Sequence, residues 1–231
     1  MSLYAIGDLH FSTSVNKPMN IFGDKWENHQ NKIIDNWKAT IKEEDTVLVL
    51  GDTSWGMNMI EAKEDLDIIN NLPGKKVFIK GNHDFWWSSL NKLKTMYEEM
   101  TFLQNSFCNY DDDLAICGTR GWLCPNEVKF DTDDEKIYKR EILRLKMSLD
   151  AAIKSGYKEL IVITHYPPTN DKLDNSEFTK LYEEYKVKKV IYGHLHGKES
   201  FDMGLKGERN GVEYILASCD YIDFKPIKII D

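Results

Sequence analysis

Short apolar runs of four or five residues alternate with longer amphipathic segments through most of this chain, and that alternation constrains the fold more than any other feature. Leu3–Ile6, Thr46–Leu50, Lys76–Ile79, Leu114–Cys117, Leu160–Ile163 and Lys189–Tyr192 read as buried strands. Between them, Glu27–Lys42, Met59–Asn71, Phe85–Met100, Asp134–Ser155 and Glu177–Tyr185 carry helical spacing, with Asn58 and Asp133 as helix caps and Gly156 as a stop. After Gly193 the pattern predicts strands at Phe201–Met203, Val212–Leu216 and Ile227–Ile230, with turns at Gly207 and Asn210-Gly211. Asp111-Asp112-Asp113 reads as a solvated hairpin turn. The expectation is an α/β half followed by a more antiparallel tail, drawn as one domain over residues 1–231.

The polar residues fall where this pattern has its strand ends. Leu3–Ile6 ends in Gly7-Asp8-Leu9-His10, Thr46–Leu50 in Gly51-Asp52, and Lys76–Ile79 runs into Gly81-Asn82-His83-Asp84. Leu160–Ile163 ends in Thr164-His165, and Lys189–Tyr192 in Gly193-His194-Leu195-His196. Five of the six histidines lie in these strings, which packing does not explain. Open α/β sheets bind ligands outside the carboxyl ends of their strands, and glycine there lets the backbone approach a ligand closely. Carboxylate, imidazole and amide oxygen together suit manganese, iron, zinc or cobalt. Two divalent ions about 3.5–4 Å apart need a shared ligand, and Asp52 is the natural one.

Composition narrows the rest. The net charge of −8, with no long basic run, argues against a duplex nucleic-acid surface. A small anionic substrate stays open, because bound metals set the local field. Cys108, Cys117, Cys124 and Cys219 form no C-x-x-C pair, as expected of reduced thiols in a cytoplasmic protein. No apolar stretch reaches the ~18–20 residues that span a bilayer.

The ordered set Asp8-x-His10, Gly51-Asp52, Gly81-Asn82-His83-Asp84, His165 and Gly193-His194-x-His196 resembles the calcineurin-like metallophosphoesterase superfamily. The resemblance implies a four-layer αββα sandwich, two mixed β-sheets flanked by helices. It implies that Asp8, His10 and His196 hold a first metal, that Asp52 bridges, and that Asn82, His165 and His194 complete a second. It further implies that His83 contacts phosphate and protonates the leaving oxygen while Asp84 orients its ring. The expected cofactors are two divalent ions, manganese or iron foremost, with zinc, cobalt or nickel as further candidates. The expected substrate is a small phosphate ester, diesters ahead of monoesters, attacked by a hydroxide bridging the metals.

The second motif continues as Thr53-Ser54-Trp55 where phosphoprotein phosphatases of the superfamily carry an arginine, which argues against a protein phosphatase. Arg120 could supply that guanidinium from another loop, weighed against a surface turn. Trp55, Trp86, Trp87 and Trp122 could stack a base, although tryptophans beside strand ends more often pack the core. His29 could touch substrate, or could be a solvent-facing or capping residue. Two other functions share the pattern: a nuclease for short single strands, and a non-catalytic metal-binding scaffold.

Overall fold

The computed structural model describes residues 1–126 and 130–231. In chain order its elements are β1 (Leu3–Ile6), α1 (His29–Thr40), β2 (Thr46–Val49), α2 (Met59–Asn70), β3 (Lys75–Ile79), α3 (Leu90–Met96), β4 (Met100–Leu103), β5 (Phe107–Asn109) and β6 (Leu114–Gly118). There follow α4 (Thr132–Lys154), β7 (Glu159–Ile163), α5 (Glu177–Glu184), β8 (Lys189–Tyr192), α6 (Lys198–Asp202), β9 (Gly207–Arg209), β10 (Val212–Leu216) and β11 (Ile227–Ile230). The chain divides into two compact units: Met1–Phe102 with Ala217–Asp231, and Leu103–Leu216. Each is built on one mixed sheet flanked by helices, an α/β fold.

The first unit's sheet has the order β11-β1-β2-β3-β4. β1, β2 and β3 run parallel in register, Leu3 beside Thr46 and Thr46 beside Lys75, so their carboxyl ends point the same way. β11 closes the edge antiparallel to β1. Val47, Val49 and Phe78 pack with Ile33, Trp37, Leu66 and Ile69 from α1 and α2 into one core. The Asn58 side chain accepts hydrogen bonds from the Ile60 and Glu61 N–H groups, which fixes where α2 begins.

The second unit's sheet has the order β5-β6-β7-β8-β10-β9. β6, β7, β8 and β10 are parallel, and β5 and β9 are antiparallel edges. Asp111 organises the β5–β6 hairpin, its carboxylate accepting from the Asp113 and Leu114 N–H groups. α4 turns Tyr138, Glu141, Leu145, Ser148, Leu149 and Ala152 inward at spacings of one to four residues. Burying a leucine such as Leu145 or Leu149 contributes roughly 1.5–3 kcal/mol.

Several elements depart from the sequence expectation. Phe201–Met203, expected as a strand, closes the short helix α6 instead. Phe85–Met100 is not one helix: α3 covers only Leu90–Met96, and Met100 begins β4. The cap of α4 is Asp131 rather than Asp133, in a reciprocal capping box with Asp134. Among the described residues, no helix is long and apolar enough to cross a membrane.

Candidate functional site

Three loops leave the carboxyl ends of β1, β2 and β3 in the first unit, and they are bonded to one another. Asp8 N–H donates to Gly51 O at 2.9 Å, and His10 N–H donates to Asp52 O at 2.9 Å. His83 N–H donates to Asp52 Oδ1 at 2.7 Å. Asp8, His10 and Asp52 all adopt left-handed backbone, with φ of 60°, 47° and 49°. Non-glycine residues store strain there, and such strain gathers at functional sites. The bends turn these side chains back toward one place. Asp8 offers ligand atoms within 4.8 Å of those of both His10 and Asp52, and His10 Nε2 stands 3.9 Å from Asp52 Oδ2. All three are buried.

Asp84 holds this arrangement together. Its Oδ2 accepts from the Asp52 N–H at 2.9 Å and the Gly81 N–H at 2.7 Å. Its Oδ1 accepts from the Thr53 N–H at 2.8 Å and from Trp86 Nε1–H at 2.9 Å. A fully buried carboxylate thus ties the β2 loop to the β3 loop. Sequence reasoning assigned Asp84 only to the imidazole of His83; of these partners Gly81 and Trp86 are neighbours in the chain, whereas Asp52 and Thr53 lie 32 and 31 residues away and leave no local signal. Gly81 has a steric reason: a Cβ there would stand 2.0 Å from Asp52 Oδ1. Cys219, also missed, donates its thiol hydrogen to Asp8 O at 2.9 Å.

The aromatic neighbours separate into two kinds. Trp86 and Trp87 are buried core residues, not bases for stacking. Trp55 is half-buried and packs against two imidazoles, 4.8 Å from the His10 ring and 4.6 Å from the His83 ring, which are themselves 5.9 Å apart. His29, for which the sequence left open a substrate contact or a solvent-facing or capping place, is buried and opens α1 after its cap Asn28. Its Nε2 lies 3.1 Å from His10 O, so it braces the ligand loop from behind. Burial lowers its pKa below the usual imidazole value, and the carbonyl of His10 works in the opposite direction.

In the second unit the loops after β6, β7 and β8 carry Arg120, His165, His194 and His196. His165 N–H donates to Arg120 O at 3.0 Å, and Gly193 N–H donates to His165 O at 3.1 Å. His194, at φ 72°, turns its Nδ1 to within 3.2 Å of His165 Nε2. His165 is buried, whereas His194 and His196 are half-buried. The Arg120 guanidinium lies 4.4 Å from the Trp122 ring centroid, a cation–π contact. Burial pushes its pKa down and Glu141 opposes that shift. Glu141, completely buried, accepts from Thr119 Oγ1 and is paired with Arg140 and Arg144.

Both units fit divalent metal. The first offers two carboxylates and an imidazole converging from strained backbone. In the second, nitrogens about 2.1 Å from a common ion stand roughly 3.0–3.4 Å apart, and the His165–His194 separation lies in that range. Asn82 lies in the loop after β3 and is half-buried.

Residues 1–198 match the family model described as calcineurin-like phosphoesterase. An uncharacterized protein of Methanocaldococcus jannaschii is 34% identical over 83 residues, 36% of this chain, and the match spans only 46% of that relative's length. Among solved structures, phosphopantetheinyl hydrolase from Mycobacterium tuberculosis is 14% identical with a TM-score of 0.55, over 99% of this chain and 95% of that one. The Thermus thermophilus protein TT1561 is 11% identical with a TM-score of 0.60, over 99% and 97%. At these identities the solved structures share the fold alone.

Proposed function

The chain belongs to the calcineurin-like phosphoesterase family, and from that premise we propose that it is a dimetal hydrolase of small phosphate esters, acting on diesters in preference to monoesters. The observation that carries the reading is the convergence of Asp8, His10 and Asp52 from left-handed backbone at one end of a parallel sheet. Left-handed backbone at three metal-capable residues that meet in one place supports a metal-holding role.

In this reading the two units act as one catalytic domain. Asp8, His10 and His196 would hold one ion, Asn82, His165 and His194 would hold the other, and Asp52 would serve both. Manganese or iron is the expected metal. Two divalent ions there would make hydroxide available near neutral pH and offset the charge of the phosphate oxygens. The chain's own groups do the rest. Asp84 fixes the Asp52 backbone and so the position of the shared carboxylate. His83, anchored through its N–H to Asp52, approaches the phosphate and donates a proton to the leaving oxygen. Trp55 confines the rings of His10 and His83. Arg120 contacts a phosphate oxygen.

The diester preference follows from the second motif. Asp52 is followed by Thr53, Ser54 and Trp55, so the second motif itself supplies no guanidinium, and Arg120 alone is assigned to the phosphate, which suits the single charge of a diester. The test is hydrolysis of bis-p-nitrophenyl phosphate against p-nitrophenyl phosphate by purified protein with added Mn²⁺, with a chelator-stripped control. Faster, metal-dependent diester cleavage is expected. Faster monoester cleavage overturns the preference, and no cleavage of either by metal-replete protein overturns the enzyme assignment.

A further inference from the structure

A cavity of about 350 Å³ lies within the second unit, walled by the loops that follow β6, β7 and β8 and by Met203 beyond α6. Its size is at the small end of ligand sites, suited to one ring or a short branched chain. His194 forms part of its wall, so a group seated there abuts a residue of the proposed metal centre. Leu123, Pro167, Leu195 and Met203 make much of the remaining surface apolar. Cys124, also on the wall, is held neutral, since burial pushes its thiol up to about 12. The one carboxylate among the described lining residues is Asp171, and no lysine or arginine is among them.

We propose that this cavity receives one ester group of the substrate, and that this group is uncharged, mainly apolar and no larger than a substituted ring. The assignment rests on the phosphoesterase reading and sharpens it. The substrates are phosphoesters of neutral organic alcohols, with nucleoside polyphosphates and sugar bisphosphates expected to be poorer substrates. A second anionic group would meet, on the described walls, the neutral polar side chains of Asn126, Thr169 and Asn170 and the carboxylate of Asp171 but no lysine or arginine, so it would be desolvated without a side-chain cation to pair with. A small alkyl group would leave the apolar walls uncovered.

The experiment uses the whole chain, labelled at the methionine methyl groups with ¹³C, with the Met203 resonance assigned by its loss in Met203→Leu. Phenylphosphonate, methylphosphonate and 4-carboxyphenylphosphonate are titrated in turn into Mg²⁺-loaded protein. The expected result is a saturable shift of Met203 with phenylphosphonate, a response at least about tenfold weaker with the carboxylated probe, and none with methylphosphonate. Diester hydrolysis is measured on the same preparation, with Mn²⁺ added. Hydrolysis with a silent Met203, or with equal responses to all three probes, overturns the cavity assignment and leaves the phosphoesterase reading standing. A selective Met203 response in protein that hydrolyses no phosphoester overturns the phosphoesterase reading, and the substrate assignment falls with it.

Discussion

The two units each present metal-capable side chains at the carboxyl ends of a mixed sheet, carboxylates and an imidazole in the first and imidazoles in the second, yet they brace them differently. In the first unit the brace is the site itself: Asp84, the Asp52 backbone and Gly81 form one buried hydrogen-bonded knot within the ligand loops. In the second, the buried carboxylate Glu141 sits on α4 and ties Thr119, Arg140 and Arg144, while His194 and Leu195 stay half-exposed on the wall of a cavity. The first unit therefore has little freedom to vary without losing its donor geometry, whereas the second can vary its loops over an independently fixed core. Under the proposed function, the first sets the chemistry and the second sets what is admitted.

Four substitutions test that contrast, from the largest effect to the smallest. Asp52→Asn removes the shared carboxylate charge and should lower diester hydrolysis by on the order of 10³-fold, about 4 kcal/mol of barrier, with bound manganese falling by elemental analysis. Activity within tenfold of the parent in metal-replete protein would contradict the role given to Asp52. Asp84→Asn turns an NH₂ toward buried N–H donors, so urea unfolding should show a loss of about 3 kcal/mol, and activity should fall with it. Glu141→Gln keeps an acceptor for Thr119 but unpairs the two arginines. Its expected loss is about 1–3 kcal/mol in the same assay, with kcat/KM within about threefold of the parent. Should Glu141→Gln reduce activity as deeply as Asp84→Asn, the distinction between the two braces fails.

The smallest effect is at the opposite end of the first sheet. Asp45 accepts from Ser2 N–H at 2.7 Å and Lys42 N–H at 2.9 Å. Burial raises its pKa, but these bonds outweigh it and hold the carboxyl below its ordinary value. A carboxyl depressed in the folded state adds stability above its unfolded pKa, and that stability is lost as pH falls through the folded value. Asp45→Asn should therefore be less stable than the parent by about 1 kcal/mol at pH 7, and the gap should close below about pH 4. A gap that is constant with pH would show that the carboxylate charge contributes nothing there.

How far the sequence could be read follows from the range over which each feature is decided. Every residue expected as a ligand lies at a strand end because strand, glycine and polar side chain are neighbours in the chain, and local signals suffice. The ends of α2 and the hairpin at Asp111 were legible for the same reason. The strand expected at Phe201–Met203 failed because a run of three residues carries no usable period, and α6 is decided by the chain around it. His29 failed differently: nothing in Trp26-Glu27-Asn28-His29 announces that its ring will lie under the His10 carbonyl.

The sequence by itself determined the family, the alternation of strands and helices, and the donor types available at each strand end, since these depend on residues adjacent in the chain. Only the tertiary structure decided that Asp84 would hold Asp52, that Gly81 must lack a Cβ, that Glu141 would meet Thr119 inside the second unit, and that three loops would wall a cavity beside His194. Each of those depends on groups dozens of residues apart, brought together by the parallel register of the strands, and separation along the chain carries no record of that meeting.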